Sequence, residues 1–293
     1  MRDKTAGLLQ IHLAVLLFGL AGLFGKFLSL SPFVIVLGRT FFASLTLGLA
    51  LFLTGRSSRV RSGTDLVVFL LLGGVLALHW TTFFHSIQVS TVAVGLVTFS
   101  TFPVFVTFME PYFFKESLRG FDIFTAALVF FGVLLVIPAF DFGHRVTQGA
   151  FWGILSGLTF AILSLINRRY VKTYSSLVVA FYQNLLAFLL LLPFLPIGSW
   201  AFSLKDLLFL AFLGLFCTAL AHALFIKSLG RIRAQLASIT ACLEPVYGVL
   251  FAFLLLGEKP GARTVLGGLV ILGTSVLASA RRKADVVEGA REE

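Results

Sequence analysis

Charged side chains are scarce in this sequence. Asp, Glu, Lys and Arg together make up 12% of its 293 residues, against roughly a quarter in soluble domains. Apolar residues make up 58%, and the mean hydropathy is +1.01. A fold in water could not cover so much apolar surface, which excludes a soluble globular protein. We therefore expect a lipid bilayer to surround most of the chain.

Residues for covalent and metal chemistry are also few. The only two cysteines, Cys217 and Cys242, lie inside apolar runs, which argues against a disulfide framework. The sequence has no H-x-x-x-H pair and no Cys/His cluster, so we expect neither a metal site nor a cofactor. A nucleophile–base pair is lacking as well, which argues against an enzyme.

Long apolar runs dominate instead. Crossing a bilayer takes about 20 apolar residues, and Arg2 and Lys4 before the first run resemble a signal peptide without a convincing cleavage site. We read that run as a retained helix, and predict an all-α integral membrane protein. Its ten transmembrane helices are expected at 6–26, 32–54, 65–87, 91–113, 119–139, 148–169, 174–196, 204–228, 233–256 and 262–280.

The net charge of +10 is distributed unevenly between the two sides. With the N-terminus in the cytoplasm, seventeen Lys and Arg residues fall inside and five outside, with Arg39 within a span. This bias follows the positive-inside rule. It predicts a multi-pass protein of the inner (plasma) membrane with both termini cytoplasmic, and it accounts for the basic charge without a nucleic-acid partner.

The sequence contains an internal duplication. Pro103 and Pro245 are 142 positions apart, as are Thr98 and Thr240. A repeat of five spans re-enters the membrane from the opposite face, so we predict two inverted repeats, 1–145 and 146–282, followed by a disordered cytoplasmic tail, 283–293. Inverted repeats are typical of alternating-access carriers, whose site lies near the midplane between the halves.

Two segments carry a family resemblance. Residues 79–108 and 237–258 each form a predicted small-residue helix with a proline within it. A glutamate follows each helix, Glu116 after the first and Glu258 just past the end of the second. The chain resembles the EamA branch of the drug/metabolite transporter (DMT) superfamily, and within it is similar to YddG-like amino-acid exporters. The resemblance implies a ten-helix inverted-repeat carrier that exports metabolites through a cavity lined by helices 1, 3, 4, 6, 8 and 9.

Glu244 is the most informative candidate for the binding site. It lies near the middle of the predicted ninth span, where a carboxylate costs about 2.5–3.5 kcal/mol on insertion scales and should face a wet cavity or the protein interior. Its repeat mate is Phe102. Glu244 is interpreted either as a protonatable or amine-binding group, or as a structural group beside Pro245.

Other candidates fall on the helices that the resemblance assigns to the cavity. The histidines could bind substrate or pack against a carbonyl; the threonines could touch substrate or bond their own helix; the phenylalanines could grip an apolar substrate or face lipid. The predicted cavity residues are His79, Phe83, Thr98, Phe102, Phe160, His222, Thr240 and Glu244.

Three further features have structural interpretations. Pro103 and Pro245 are expected to kink their helices and serve as hinges, although a static kink would give the same pattern. Glu116 and Glu258 are expected to cap helices or to form interfacial ion pairs. Arg39 is expected to bridge spans near the outer surface.

The sequence therefore predicts a transporter that exports small metabolites, with apolar or aromatic amino acids as the main expectation. A drug, nucleoside or sugar-type exporter of the same fold is the alternative, and a channel or an intramembrane enzyme is less consistent with the pattern. The expected partners are a small-molecule substrate and the lipid bilayer, with the protein as a monomer.

Overall fold

Helices make up nearly all of the part of the chain that can be described. The computed structural model describes residues 2–114, 120–137, 141–195, 202–229, 240–241, 243–274 and 276–277, and within these ranges it has no strand. The helices are α1 (Arg2–Phe27), α2 (Pro32–Leu53), α3 (Gly63–Val89), α4 (Val92–Phe99), α5 (Phe102–Phe114), α6 (Gly120–Val136), α7 (Arg145–Tyr170), α8 (Ser176–Leu191), α9 (Leu204–Gly214), α10 (Ala221–Leu229), α11 (Glu244–Leu256) and α12 (Ala262–Thr274).

These helices match the predicted membrane spans. Seven stretches are long and apolar enough to cross a bilayer, and three shorter apolar helices occupy the remaining predicted spans. The predicted all-α membrane fold is thus confirmed. The first residues of the predicted ninth span, and the tail predicted for 283–293, lie outside the described residues.

Small polar residues determine where the helices begin. Ser31, Ser62, Thr91 and Ser175 each accept a hydrogen bond from a backbone N–H in the first turn of the following helix. Such caps satisfy N–H groups that have no partner within the helix. The apolar runs therefore start where a short hydroxyl side chain ends the preceding loop.

Two predicted spans are interrupted at matched positions. The fourth span is divided into α4 and α5 at Ser100 and Thr101, whose hydroxyls donate to carbonyls of α4 at 2.8 Å. In the second half, α11 begins at Glu244, and this residue is the repeat mate of Phe102, the first residue of α5. The duplication is therefore visible in the backbone as two helices that start at equivalent positions.

These starts correct the interpretation of the two prolines. Pro103 and Pro245 do not interrupt a continuous helix, because each is the second residue of a new one. Proline is tolerated there since the first turn has no intrahelical partner for its N–H. The expected kinks are therefore helix breaks, and the hinge function stays a prediction.

The two halves pack into each other rather than side by side. In the first half, α1 packs on α10 and α11, α2 on α8 and α9, and α3 on α7 and α8. Fully buried Phe69 of α3 lies at one of these contacts, against the rings of Tyr170, Tyr174 and Tyr182. Other phenylalanines, such as Phe52 and Phe130, are exposed on the outer surface, where lipid would surround them. The halves thus enclose a shared interior.

Glu258 joins the halves at one end of the bundle. Its carboxylate accepts the Val92 N–H at the start of α4, at 2.9 Å to Oε1 and 3.2 Å to Oε2. Lys26 at the end of α1 donates from Nζ to the Ser90 carbonyl at 2.9 Å. The expectation that Glu258 caps a helix is confirmed, but the capped helix belongs to the other half. Glu116 lies outside the described residues.

Glycine brings α1 and α11 close together. A Cβ at Gly19 would lie 2.9 Å from both the Glu244 carbonyl oxygen and the Gly248 nitrogen. Both are backbone atoms, so a methyl group there must push the helices apart; small residues commonly permit such close crossings in membranes. Gly267 of α12 meets Gly132 of α6 in the same way.

We expect Gly19→Ala to destabilise the protein by about 1–3 kcal/mol, the usual cost of overpacking. It should also lower the transport rate, because α11 carries Glu244. The measurement is the melting temperature in detergent, with Gly63→Ala as the control, since a Cβ at Gly63 would meet nothing within 4 Å. Equal melting temperatures for the two variants would contradict the close crossing.

Candidate functional site

A small cavity of about 40 Å³ lies between the two halves. Both repeats contribute to its wall, through α1 to α4 in the first and α7, α10 and α11 in the second. The wall combines aromatic rings with four groups that can carry charge. The lining residues are Phe18, Ala21, Arg39, His79, Trp80, Phe83, Phe99, Phe160, His222 and Glu244.

Arg39 of α2 is the cation of this cavity and is only 2% exposed. Its Nε and Nη2 donate to Thr218 Oγ1 at 3.1 and 2.9 Å. The guanidinium carbon lies 3.7 Å from the centroid of the Trp80 ring, an arrangement in which the ring face attracts the cation. Arg39 therefore bridges spans as expected, and it does so in the wall of this cavity.

Thr218 lies in an irregular turn within one span. Residues Leu215–Leu220, between α9 and α10, form a π-helix. The Thr218 hydroxyl donates to the Leu213 carbonyl at 2.8 Å, so its oxygen is left as the acceptor for Arg39. Turns of this kind occur often at functional sites.

His79 of α3 is held by Ser156 of α7. Its Nδ1 lies 3.0 Å from the Ser156 carbonyl oxygen and 2.9 Å from the Ser156 hydroxyl oxygen, and that hydroxyl donates to the His79 carbonyl at 3.2 Å. An unprotonated Nδ1 would place two lone pairs against each other, so we assign the proton to Nδ1 on the hydrogen-bond network. Nδ1 of His79 is therefore bonded to a carbonyl, as in the interpretation of a packed histidine. Nε2 is an acceptor with no hydrogen-bond partner among the described residues.

His222 of α10 lies against two aromatic rings. It stacks on Trp80 at 5.5 Å between centroids and meets Phe18 edge-on at 5.5 Å. Within the described part of the chain, neither of its ring nitrogens makes a hydrogen bond. His222 therefore supplies the cavity with polar atoms that remain available to a ligand.

Glu244 is the anion of the cavity and the first residue of α11. Its side chain is half-buried, and N–H groups at a helix start favour a negative charge. Across the described ranges its carboxylate makes no hydrogen bond, and no direct ion pair joins it to Arg39. The cavity wall thus holds one acidic and one basic side chain that are not joined by a direct ion pair.

Three phenylalanines form the apolar wall beside His79. Phe160 lies 5.2 Å from the His79 ring and 5.3 Å from Phe99, and Phe83 lies 5.6 Å from Phe99. Phe102 packs behind them, 5.4 Å from Phe99 and 5.0 Å from Phe160. It therefore supports the wall without lining it.

Neither predicted threonine lines the cavity. Thr98 is fully buried, and its hydroxyl donates to the Val94 carbonyl of its own helix at 2.7 Å. It packs against Gly153 of α7. Thr240 is 5% exposed and is also absent from the cavity wall. For Thr98, the alternative that a threonine bonds its own helix is the one the structure supports.

The cavity therefore brings together most of the predicted residues and adds others. His79, Phe83, Phe160, His222 and Glu244 lie in its wall, whereas Thr98, Phe102 and Thr240 do not. The predicted set did not include the other five lining residues, which are Phe18, Ala21, Arg39, Trp80 and Phe99. A signal existed for Arg39, because an ionisable residue inside a membrane span is a functional candidate by default. No signal separates Phe99 from the other 33 phenylalanines.

Comparison with known proteins identifies the family. The model of the EamA-like transporter family matches residues 5–137 and again residues 147–280. The chain belongs to this family. The two matches confirm the repeat architecture, and the predicted boundary at 145/146 falls between them. The closer similarity to YddG-like exporters stays a prediction.

Curated relatives of this EamA-family protein are named as transporters. An uncharacterized inner membrane transporter, YicL of Salmonella typhimurium, is 29% identical over 300 residues, covering 97% of this chain and 99% of its own. An uncharacterized transporter of Archaeoglobus fulgidus is 25% identical, covering 94% and 97%. An S-adenosylmethionine uptake transporter of Rickettsia conorii is 23% identical, covering 84% and 82%.

A solved structure has the same fold. It superposes with a TM-score of 0.64 at 17% sequence identity, covering 95% of this chain and 96% of the other. At that identity the likeness concerns the fold alone. Together these findings make the protein a multi-pass membrane transporter of the EamA family.

Proposed function

We propose that this transporter exports amino acids with apolar or aromatic side chains across the inner (plasma) membrane by alternating access. One observation carries the proposal. Arg39 and Glu244 line the same aromatic-walled cavity, and they are not paired with each other within the described chain. A ligand with one positive and one negative group would satisfy both.

The ends of an amino acid fit these two charges. Thr218 takes two of the five N–H donors of Arg39, which leaves three for a carboxylate. Glu244 would receive the ammonium group. Burying either charge without a partner would be costly, so a zwitterion suits this cavity better than an ion of one sign.

The apolar part of the ligand would meet the phenylalanine wall. Phe83, Phe99 and Phe160 offer ring faces and edges, which interact favourably with another aromatic ring at 4.5–7 Å, a contribution of about 0.5–1.5 kcal/mol per pair. His79 Nε2 would accept a further hydrogen bond. These features favour aromatic and other apolar amino acids.

Alternative substrate classes fit less well. A cationic drug would gain from Glu244 but would lie near the fixed charge of Arg39. A neutral nucleoside or sugar would leave both charges without a counter-ion. An open channel is disfavoured, since the matched helix breaks at Phe102 and Glu244 resemble the discontinuous helices of alternating-access carriers.

S-adenosylmethionine is the second candidate. The relative from Rickettsia conorii is named an S-adenosylmethionine uptake transporter. This compound carries the same carboxylate and ammonium groups as an amino acid, together with an aromatic base. Its amino-acid end would bind Arg39 and Glu244, and its aromatic base would pack against the phenylalanine wall.

Counterflow in liposomes tests the proposal. We expect purified protein to exchange radiolabelled L-phenylalanine saturably, and faster than liposomes without protein, with and without a pH gradient. S-adenosylmethionine is assayed in parallel, and its saturable exchange would support the second candidate. Folded protein that exchanges no amino acid would refute the proposal, and flux that does not saturate would indicate a channel.

Export is tested in cells. Overproduction should raise tolerance to toxic aromatic amino-acid analogues. Unchanged tolerance, with the protein confirmed in the membrane, would count against export.

The proposed orientation predicts which loops can be labelled. In a variant without Cys217 and Cys242, a cysteine introduced at Ser57 or Thr173 should react with a membrane-impermeant reagent only from the cytoplasm. One introduced at Gly261 should react only from outside. All three positions are exposed, so lack of reaction cannot be ascribed to burial. Labelling of Thr173→Cys from outside would contradict the inverted second half.

A further inference from the structure

We propose that Thr218 is a positioning residue that aims the guanidinium of Arg39 at the substrate carboxylate. The inference rests on the proposed function, because it concerns the same cavity. It adds a residue that does not line that cavity, and it gives a role to the π-helical turn Leu215–Leu220.

The hydrogen bonds define the direction of the guanidinium group. Nε and Nη2 form one side of the planar group, and both donate to the single oxygen of Thr218. The remaining donors are the two N–H bonds of Nη1 and one of Nη2. One N–H from each of these nitrogens forms the parallel pair at the end of the group, and such a pair matches the two oxygens of a carboxylate.

The π-helical turn supplies the acceptor in the required orientation. Thr40, Thr82 and Thr98 each donate to the carbonyl four residues earlier in their own helices. Thr218 instead reaches Leu213, five residues earlier. This bond occupies its proton, so both N–H groups of Arg39 meet an oxygen that can only accept. In a regular helix the proton would be occupied as well; the π-helical turn changes the carbonyl that orients the hydroxyl, from that of Gly214 to that of Leu213.

The Trp80 ring completes the support. The guanidinium carbon lies 3.7 Å from its centroid, so one face of the group is covered while one side is bonded to Thr218. An arginine side chain otherwise loses rotamer entropy when a ligand orders it. Ordering it before the ligand arrives should therefore strengthen binding of the carboxylate specifically.

The test uses Trp80 as a reporter. Trp152 and Trp200 are replaced by phenylalanine, which leaves Trp80 as the sole tryptophan. In this background Thr218→Val removes the hydroxyl with little change in shape, and Thr218→Ser retains it. Thr40→Val is the control, because Thr40 follows Arg39 directly, is fully buried and bonds only its own helix.

Two readouts are expected to change together. Without ligand, Thr218→Val should alter Trp80 emission, since the guanidinium group is no longer held over the ring. Its affinity for L-phenylalanine should fall about tenfold, the effect of losing a hydrogen bond to a charged group. Its affinity for 2-phenylethylamine, which has no carboxylate, should not change. Thr218→Ser should restore both readouts, and Thr40→Val should resemble the parent.

Other results would overturn the inference. Unchanged emission and affinity in Thr218→Val would show that Arg39 is positioned without Thr218. Equal weakening of both ligands would show a structural role. If the parent binds neither ligand, the proposed function fails. In that case the Trp80 emission decides the inference: a change in Thr218→Val but not in Thr40→Val would show that Thr218 positions Arg39, and no difference between the two variants would overturn it.

Discussion

Glu244→Gln is expected to lose nearly all amino-acid transport while it folds like the parent. Removing one partner of a desolvated charge pair costs about 3–5 kcal/mol, so kcat/KM for L-phenylalanine should fall at least about a hundredfold. Glutamine keeps the size and hydrogen-bonding capacity of the side chain. The loss would therefore be due to the missing charge.

Folding should not require this carboxylate. The duplication places Phe102 at the equivalent position, and among the described residues Glu244 has no hydrogen bond that its replacement would break. The melting temperature of Glu244→Gln should match that of the parent. Glu244→Asp, which retains the charge on a shorter side chain, should recover part of the activity.

The same variant shows whether Glu244 carries a proton. Flux is measured with and without a pH gradient across the liposome membrane. If the carboxylate releases a proton when substrate binds, the residual flux of Glu244→Gln should no longer respond to the gradient. Parental flux with the parental response to pH would show that Glu244 is structural.

Arg39→Lys should impair transport strongly although it preserves the positive charge. Lysine cannot present two parallel N–H donors to a carboxylate, and it lacks the planar group that stacks on Trp80. It also cannot keep both hydrogen bonds to Thr218. We expect KM for L-phenylalanine to rise at least about tenfold, corresponding to a loss of about 1.4 kcal/mol or more.

A surface arginine provides the control for Arg39→Lys. Arg56 lies in the exposed loop between α2 and α3, and Arg56→Lys should transport like the parent. The comparison is made by counterflow at several substrate concentrations. An unchanged KM in Arg39→Lys would mean that the position needs only a positive charge, and would contradict bidentate binding.

The sequence was sufficient for the fold because a bilayer imposes one strict rule. Backbone groups in lipid must bond within their own segment, so apolar runs of adequate length become helices. The duplication relates Pro103 to Pro245 and Thr98 to Thr240 through their spacing of 142 positions. These properties depend on composition and order along the chain, which the sequence contains.

The cavity wall depends on how each helix is rotated, which the sequence does not contain. Thr98 and His79 are both polar residues within spans, yet Thr98 bonds its own helix and His79 faces the cavity. Likewise, a proline within an apolar run is compatible with a kink or with the start of a new helix. The structure shows the latter for Pro103 and Pro245, because each helix begins one residue before its proline.

The central claim is that one ligand bridges Arg39 and Glu244, and a ligand-truncation cycle tests it most directly. Affinities are measured for L-phenylalanine, for 2-phenylethylamine, which lacks the carboxylate, and for 3-phenylpropionate, which lacks the ammonium group. Glu244→Gln should weaken binding of L-phenylalanine and leave that of 3-phenylpropionate unchanged. Arg39→Lys should weaken binding of L-phenylalanine and leave that of 2-phenylethylamine unchanged. If each variant weakens all three ligands equally, the two charges do not bind the two ends of the substrate, and the account is wrong.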